Sequence, residues 1–397
     1  MRQQSVLISG ASITGPALAH WLHRYGFATT IVEVGPALRP GGHAVDIRGV
    51  ARRVVEEMGL LPAIRAAGVH ERGYALVNGA GRITGAVPAD AFGGGGIVAE
   101  IEIMRGDLSE ILYQATRDGT EYLFGDRIAE LAEGTDGVEV TFGSGLVRSF
   151  DFVIGADGVH SGVRRLAFGP QARFVTHLGA YTGYFTVPDP GNLDDWFLMY
   201  NAPGGLVASL RPERGGTAKA SLSFRSPELA YDRHDVQAQK EILAERHARS
   251  RWLVPQLLDA VWEAPDFYFD SISQVRVDRW SRGRITLAGD AGYCGSPLSG
   301  LGTSLSLVGG YVLAGELAST PDDHEGAFAR YQDEMRGYVE QCMELPPGGI
   351  SGYAPNSQLM ISLRNISMGM VNHWPMRQIM AKQAGKADAI TLKAYPA

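Results

Sequence analysis

Three times in this chain an apolar strand runs into a glycine corner and then into a helix, near residues 10, 157 and 290. Residues 5–8 are hydrophobic without alternation, the pattern of a strand buried on both faces of a parallel sheet. They lead into Gly10-Ala-Ser12-Ile13-Thr14-Gly15 and a helix reaching residue 25, with Ala17, Leu18, Trp21 and Leu22 facing inward. A second strand over 27–34 ends near Glu33, which completes a βαβ unit. The next corner follows an apolar strand that closes on Asp157-Gly158. At the last, residues 285–288 end on Gly289-Asp290, followed by a loop with Pro297, Gly300, Leu301 and Gly302, and a helix predicted from residue 303. Corners of this kind gather at the carboxyl edge of an open parallel sheet, where ligands bind. Three of them, far apart in sequence, predict one elongated ligand crossing that edge.

The first corner reads as a dinucleotide fingerprint. Gly10 makes the tight turn, Gly15 permits close helix–strand packing, and Glu33, about twenty residues on, is placed to hold a ribose 2′-hydroxyl. Ser12 stands where the middle glycine of the fingerprint is expected. At the last corner, Pro297 fixes one φ angle while Gly300 and Gly302 let backbone approach a ligand. The helix that follows offers unpaired N–H groups and the positive end of its dipole to an anion. Arg105, where a short strand meets a helix, is placed to meet a pyrophosphate or to pair with a carboxylate, and the Arg39-Pro-Gly-Gly-His-Ala-Val-Asp46 loop reads as ligand-facing or as a surface turn.

Between residues 174 and 269 the pattern changes to strands over 178–187, 196–200, 205–210 and 219–224, separated by proline and glycine turns. Aromatic residues are dense there, and Tyr181, Tyr200 and Phe224 are taken as candidates to line a flat, apolar substrate. Arg211, at a strand end, is the one side chain singled out as a catalytic candidate. Short strands over 121–124, 127–131 and 138–142 have hairpin-like spacing. Helices are predicted over 327–343, 359–370 and 374–384. The fold class expected is α/β: a Rossmann-like parallel-sheet domain over 1–173 and 271–345, an antiparallel substrate domain inserted at 174–270, and a helical segment over 346–397.

The bulk properties narrow the field. Lys+Arg 36 against Asp+Glu 43 leaves a charge of −7, which argues against a nucleic-acid partner. Cys294 and Cys342 are the only cysteines, so no disulfide scaffold is expected and a reducing, cytoplasmic setting is. No apolar run is long enough to span a bilayer, no secretory leader is read at the start, and the ten histidines lack metal-ligand spacing. Oligomeric state is not encoded in any feature of the sequence.

Taken together, Gly10 to Gly15, Asp157-Gly158 and Gly289-Asp290 with Pro297 and Gly300-Leu301-Gly302 resemble the FAD-dependent aromatic hydroxylases, the group A flavoprotein monooxygenases typified by para-hydroxybenzoate hydroxylase. The pattern is most similar to the tetracycline-inactivating flavin monooxygenases, and the resemblance covers residues 4–345. It implies that Gly10, Ser12, Ile13, Thr14 and Gly15 hold the FAD pyrophosphate, Glu33 the adenosine ribose, and Asp290 the ribityl chain. It further implies that Arg105 meets the FAD backbone, that the loop from Pro297 through Gly302 lies along the flavin edge, and that Asp157, Gly158, Arg39 and Asp46 serve FAD or a transient NADPH or NADH. The implied reaction hydroxylates an aromatic or polycyclic molecule with O2 through a flavin C4a-hydroperoxide. No protein nucleophile or metal is required. Relatives carry histidine where Tyr293 stands and asparagine where Thr303-Ser304 stands. Cys294 is read as a packing residue near the flavin.

Other readings account for fewer of these residues. An NAD-dependent dehydrogenase uses the first corner and leaves the other two unexplained. A flavin reductase, a Baeyer–Villiger oxygenase and a non-catalytic flavin-binding protein all keep FAD and differ in product.

Overall fold

The computed structural model describes residues 3–39, 41–92, 101–191, 193–369 and 385–396. The helix predicted over 374–384 lies outside them. Strands Ile285–Leu287, Phe152–Gly155, Ser5–Ser9, Ala28–Glu33 and Thr120–Phe124 form a parallel sheet in that spatial order, with Ser281–Arg282 antiparallel at one edge. Val6, Leu7, Ile8, Val153, Ile154 and Leu287 are fully buried. Helix Thr14–Arg24 packs against Ser5–Ser9 and Ala28–Glu33, and Gly162–Ala167 against Phe152–Gly155 and Ile285–Leu287; burial of this depth explains why these strands read as unbroken apolar runs. The middle of the sheet carries all three corners, because Ser5–Ser9 pairs with Phe152–Gly155, which pairs with Ile285–Leu287.

The second sheet has eight strands, in the order Tyr293–Cys294, Tyr268–Arg276, Val175–Pro188, Thr217–Arg225, Leu206–Pro212, Trp196–Ala202, Gly73–Val77 and Ile83–Pro88. It therefore draws strands from outside the 174–270 stretch at both edges. Trp196–Ala202 runs parallel to Gly73–Val77, and its other neighbour is antiparallel. Thr120–Phe124 departs from the expected hairpin arrangement: it joins the parallel sheet beside Ala28–Glu33, while Ile128–Glu133 and Val138–Phe142 pair with each other. Spacing alone could not separate these two fates, since a strand ending one sheet and a strand opening the next are equally short. Ala44–Asp46 pairs with Glu102–Met104 as a separate two-stranded antiparallel sheet.

The helix after the third corner runs from Gly302 to Ser319 and is buried along nearly its whole length, against Thr14–Arg24 on one side and His324–Cys342 on another. Its far end is clasped by the C-terminal residues. Glu316, 4% exposed, accepts from Arg330 Nε at 3.0 Å, Lys393 Nζ at 3.0 Å and Tyr395 Oη at 3.0 Å, and Tyr311 Oη donates to the Lys393 carbonyl. Burial alone would raise the Glu316 carboxyl, but the bonds from Lys393, Tyr395 and Arg330 outweigh it and hold it below its ordinary 4.5. A carboxyl lowered on folding contributes stability above its unfolded value and loses it as pH falls through the folded one. We therefore expect Glu316→Gln to cost about 2 kcal/mol at neutral pH, as a buried acceptor loses its charge, and to free the tail. Hydrogen exchange over 386–396 reads this directly: the variant at pH 7 should match the wild type in acid, and unchanged protection would refute it. Among the described residues no helix is long and apolar enough to cross a membrane.

Candidate functional site

The three corners touch one another. Gly10 has φ +107°, and a Cβ there would stand 2.5 Å from the Ala156 carbonyl oxygen and 3.0 Å from Asp157 Cα. The first corner thus needs glycine because the second lies against it. A Cβ on Gly289, at φ +60°, would overlap the Thr14 side chain, so the third corner abuts the first. Arg164, fully buried, donates to the Ala291 carbonyl at 2.8 Å and to the Val159 carbonyl, which ties the second corner to the third. Gly15 is required within its own turn, where a Cβ would collide with the Gly10 carbonyl.

The acidic groups at these corners hold backbone and keep capacity to spare. Glu33 accepts from Ala11 N and Gly35 N, both at 2.9 Å. Asp157 Oδ2 accepts from Ser9 Oγ at 3.2 Å, Gly162 N at 2.8 Å and Val163 N at 3.2 Å, whereas its buried Oδ1 has no partner among the described residues. Burial pushes the Asp157 carboxyl up. Helices Thr14–Arg24 and Gly302–Ser319 both start without a side-chain cap and without an acidic residue in the first turn. Their first N–H groups and dipole ends are left for an anion. Beside Gly158, Gly300 and Gly302 a Cβ would meet open space or atoms no nearer than 3.9 Å. A cradle with an orphaned carboxylate oxygen, two uncapped helix starts and open glycine backbone fits a dinucleotide.

The flanking residues close round this cradle. Arg105 Nη2 donates to Ser12 Oγ at 2.9 Å, and the Arg105 N–H donates to the His43 carbonyl at 3.1 Å. Asp290 Oδ1 lies 3.9 Å from where a Gly302 Cβ would stand, and Asp46 Oδ2 lies 4.0 Å from the same point at Gly300. Leu301 is buried at the helix start, after the short Pro297–Ser299 turn. Ile13 is buried under the first corner. Burial pushes the Asp290 carboxyl up, against the Cys294 thiol and Arg105, which lower it. Burial also keeps Cys294 protonated, well above an ordinary thiol. Arg39 is exposed, with its guanidinium 5.1 Å from the Tyr268 ring. Tyr268 Oη donates to Asp270 at 2.7 Å, and Asp270 also meets His160 Nε2 at 2.8 Å. Sequence reasoning passed over this group, although His160 stands three residues after Asp157.

The eight-stranded sheet sorts its aromatics by alternation. Tyr181, Tyr200 and Phe224 fall on the face covered by helices Val236–His247 and Val254–Val261, in one cluster with Leu243, Leu257 and Val261. The sheet itself separates them from the cradle. Its other face carries Tyr184, Arg211 and Lys219, with Tyr74 and Phe197 further along. Tyr184 stacks on His43 at 5.0 Å. Burial, then Arg105, Arg211 and Lys219, bring His43 down to about 3, so its imidazole is uncharged at neutral pH. Arg211 pairs with Glu71 at 2.9 Å and lies 4.3 Å from the Phe197 ring centre. Lys219 is 3% exposed and held by Thr186 and by Asp266 at 2.6 Å. Tyr353, from the C-terminal segment, joins this face through Ser223 Oγ at 2.9 Å.

The FAD binding domain family matches residues 3–345. An uncharacterized protein of Mycobacterium tuberculosis is 46% identical over 359 residues, covering 89% of this chain and 96% of the relative. A flavin-dependent monooxygenase of Legionella longbeachae is 38% identical over 336 residues, covering 84% and 86%. The crystal structure of tetracycline destructase Tet(55) superposes with a TM-score of 0.82 at 34% identity over 99% of both chains. The resemblance carried by the three corners thus extends along most of the sequence, and the chain belongs to the FAD-dependent aromatic hydroxylase family.

Proposed function

We propose that this protein is an FAD-dependent monooxygenase that draws electrons from NADPH or NADH and places one atom of O2 on a planar aromatic or polycyclic molecule. The observation that carries the reading is the mutual contact of the three corners around one open cradle. In this reading Gly10 to Gly15 and Arg105 hold the pyrophosphate of FAD and Glu33 its ribose. Asp290 holds the ribityl chain and Pro297 to Gly302 the ring edge. Asp157, Gly158, Asp46 and Arg39 complete the cofactor sites. Bound FAD would supply the electron transfer and oxygen activation that side chains lack. The chain's own part is placement and charge: the start of helix Gly302–Ser319 favours negative charge beside it by about 1 kcal/mol, more where water is excluded.

Residues 1–173 with 271–345 then form the cofactor portion and 174–270 most of the substrate wall; of the segment over 346–397, residues 349–369 cover that wall, while 386–396 pack on the cofactor portion. The substrate lies on the sheet face bearing Tyr184 and Phe197, while Tyr181, Tyr200 and Phe224 support that sheet from behind. Phe197→Ala should raise KM about tenfold, the size of a lost aromatic contact. Phe224→Ala should lower Tm and leave KM near the wild-type value. The reverse pattern would put the substrate elsewhere. The function itself is tested by screening phenolic and polycyclic compounds for stimulated NAD(P)H oxidation, with labelled O2 to trace the product. Oxidation without incorporation of label would refute oxygen transfer.

A further inference from the structure

One side chain in the seam between the cradle and the eight-stranded sheet has hydrogen-bonding capacity that the fold does not use. Gly41 and Gly42, at φ +70° and +94°, let the loop before strand Ala44–Asp46 pass tightly through that seam. A Cβ on Gly41 would stand 2.5 Å from Asp266 Oδ2 and 3.3 Å from Lys219 Nζ, and one on Gly42 would stand 3.3 Å from Arg105 Cβ. His43 follows as the side chain the loop presents there. Its carbonyl accepts from the Arg105 N–H at 3.1 Å, and its ring stacks on Tyr184 with centres 5.0 Å apart. Three residues on, Asp46 Oδ2 comes to 4.0 Å from where a Gly300 Cβ would stand, at the third corner. His43 thus lies between the sheet and the cradle, half-buried. Among the described residues neither of its ring nitrogens has a hydrogen-bond partner. His160, His177 and His247 differ, each engaging a ring nitrogen inside the fold, on Asp270, the Ser226 carbonyl and the Ser223 carbonyl.

We propose that His43 is a specificity-determining residue of the substrate site, where its imidazole hydrogen-bonds a neutral oxygen substituent, a hydroxyl or a carbonyl, on the aromatic ring that lies along the sheet. Burial, then Arg105, Arg211 and Lys219, keep the ring uncharged at neutral pH. One nitrogen then donates and the other accepts, which serves a hydroxyl and a carbonyl alike. Burial also keeps the facing Tyr184 phenol protonated. The nearby cations have acidic partners of their own, Arg211 in Glu71 at 2.9 Å and Lys219 in Asp266 at 2.6 Å. A neutral substituent is therefore favoured here over a carboxylate. A flat ring that covers His43 displaces water from it, and without an oxygen to replace the lost hydrogen bonds that ring binds less tightly. The contact with substrate rests on the wall proposed above; the free imidazole does not.

The test uses 2-naphthol and 2-methylnaphthalene, planar probes of like shape that differ in one oxygen. Each is titrated into the flavin-loaded protein and followed by the visible spectrum of the flavin. The wild type should bind 2-naphthol about tenfold more tightly, the size of one neutral hydrogen bond. His43→Phe keeps a ring against Tyr184 and should erase that preference. His43→Gln, with a donor and an acceptor, should restore most of it. Diethyl pyrocarbonate, which acylates free imidazole nitrogens, should label His43 in the flavin-loaded protein, and 2-naphthol should shield it. A preference that survives in His43→Phe, or labelling that 2-naphthol leaves unchanged, would overturn the role of His43. Phe197→Ala separates that role from the wall, because it should weaken both probes alike. Unaltered binding of both in Phe197→Ala, with the preference still lost in His43→Phe, would overturn the wall and keep His43. Equal binding of the two probes by the wild type, weakened in Phe197→Ala, would overturn His43 and keep the wall. Binding of neither probe would overturn both.

Discussion

A Gly10→Ala chain will lose nearly all bound FAD and much of its stability. At φ +107° an L-residue is strained whatever its surroundings, and the new methyl would stand 2.5 Å from the Ala156 carbonyl. That carbonyl cannot yield freely, because the Ala156 N–H is held by the Ser9 carbonyl at 2.9 Å in the centre of the parallel sheet. Backbone strain of this kind costs about 1–3 kcal/mol, and the collision adds to it. The sum is a large part of the roughly 5–15 kcal/mol that keeps a domain folded. Gly125→Ala is the control. It too has positive φ, at +75°, but nothing among the described residues lies within 4 Å of its Cβ. It should cost about 1 kcal/mol and keep its flavin. Visible absorbance per chain and Tm report both variants. Full flavin content in Gly10→Ala would show that the first two corners are not packed as described.

Arg164→Met should separate stability from cofactor binding less sharply but with comparable effect. The side chain is fully buried, and its hydrogen bonds to the Ala291 and Val159 carbonyls join the second and third corners. Methionine fills similar space and donates nothing, leaving two carbonyls unsatisfied at about 1–3 kcal/mol each. Burial lowers the Arg164 guanidinium, with Asp157 opposing; an arginine side chain stays protonated in proteins, so the lost group is a cation and the upper end applies. We expect FAD affinity to fall about a hundredfold, since the Asp157 and Asp290 corners would no longer be held in register. Titration of the apoprotein with FAD, followed by flavin fluorescence, measures this. Affinity within threefold of wild type would mean the corners hold without the tie.

The meeting of the three corners was legible in the sequence because its requirements are local. Gly10 and Gly15 answer to backbone contacts within a few residues or across one strand pairing, and an unbroken apolar run followed by glycine has few other outcomes. The strands at 73–77 and 83–88 were not legible. They are short, follow a helix, and gain meaning only from pairing with Trp196–Ala202, more than a hundred residues away. The packing of the middle-sheet aromatics was hidden for a sharper reason. Alternation reveals which residues share a face, as with Tyr181 and Phe185 against Tyr184, but not which face meets the helices. The aromatic residues selected were those of the helix-packed face, and that choice waits on tertiary contacts. Glu71 and Glu102 carry no local signal at all. A buried carboxyl looks like a surface one until Arg211 is brought beside it.

The central claim is that three separated corners hold one FAD. The most direct test is a crystal structure of the protein grown with FAD. It should show a single FAD within contact distance of residues 10–15, 157–158 and 289–302 together. FAD touching the first corner alone, or a well-folded protein that takes up none, would contradict the account.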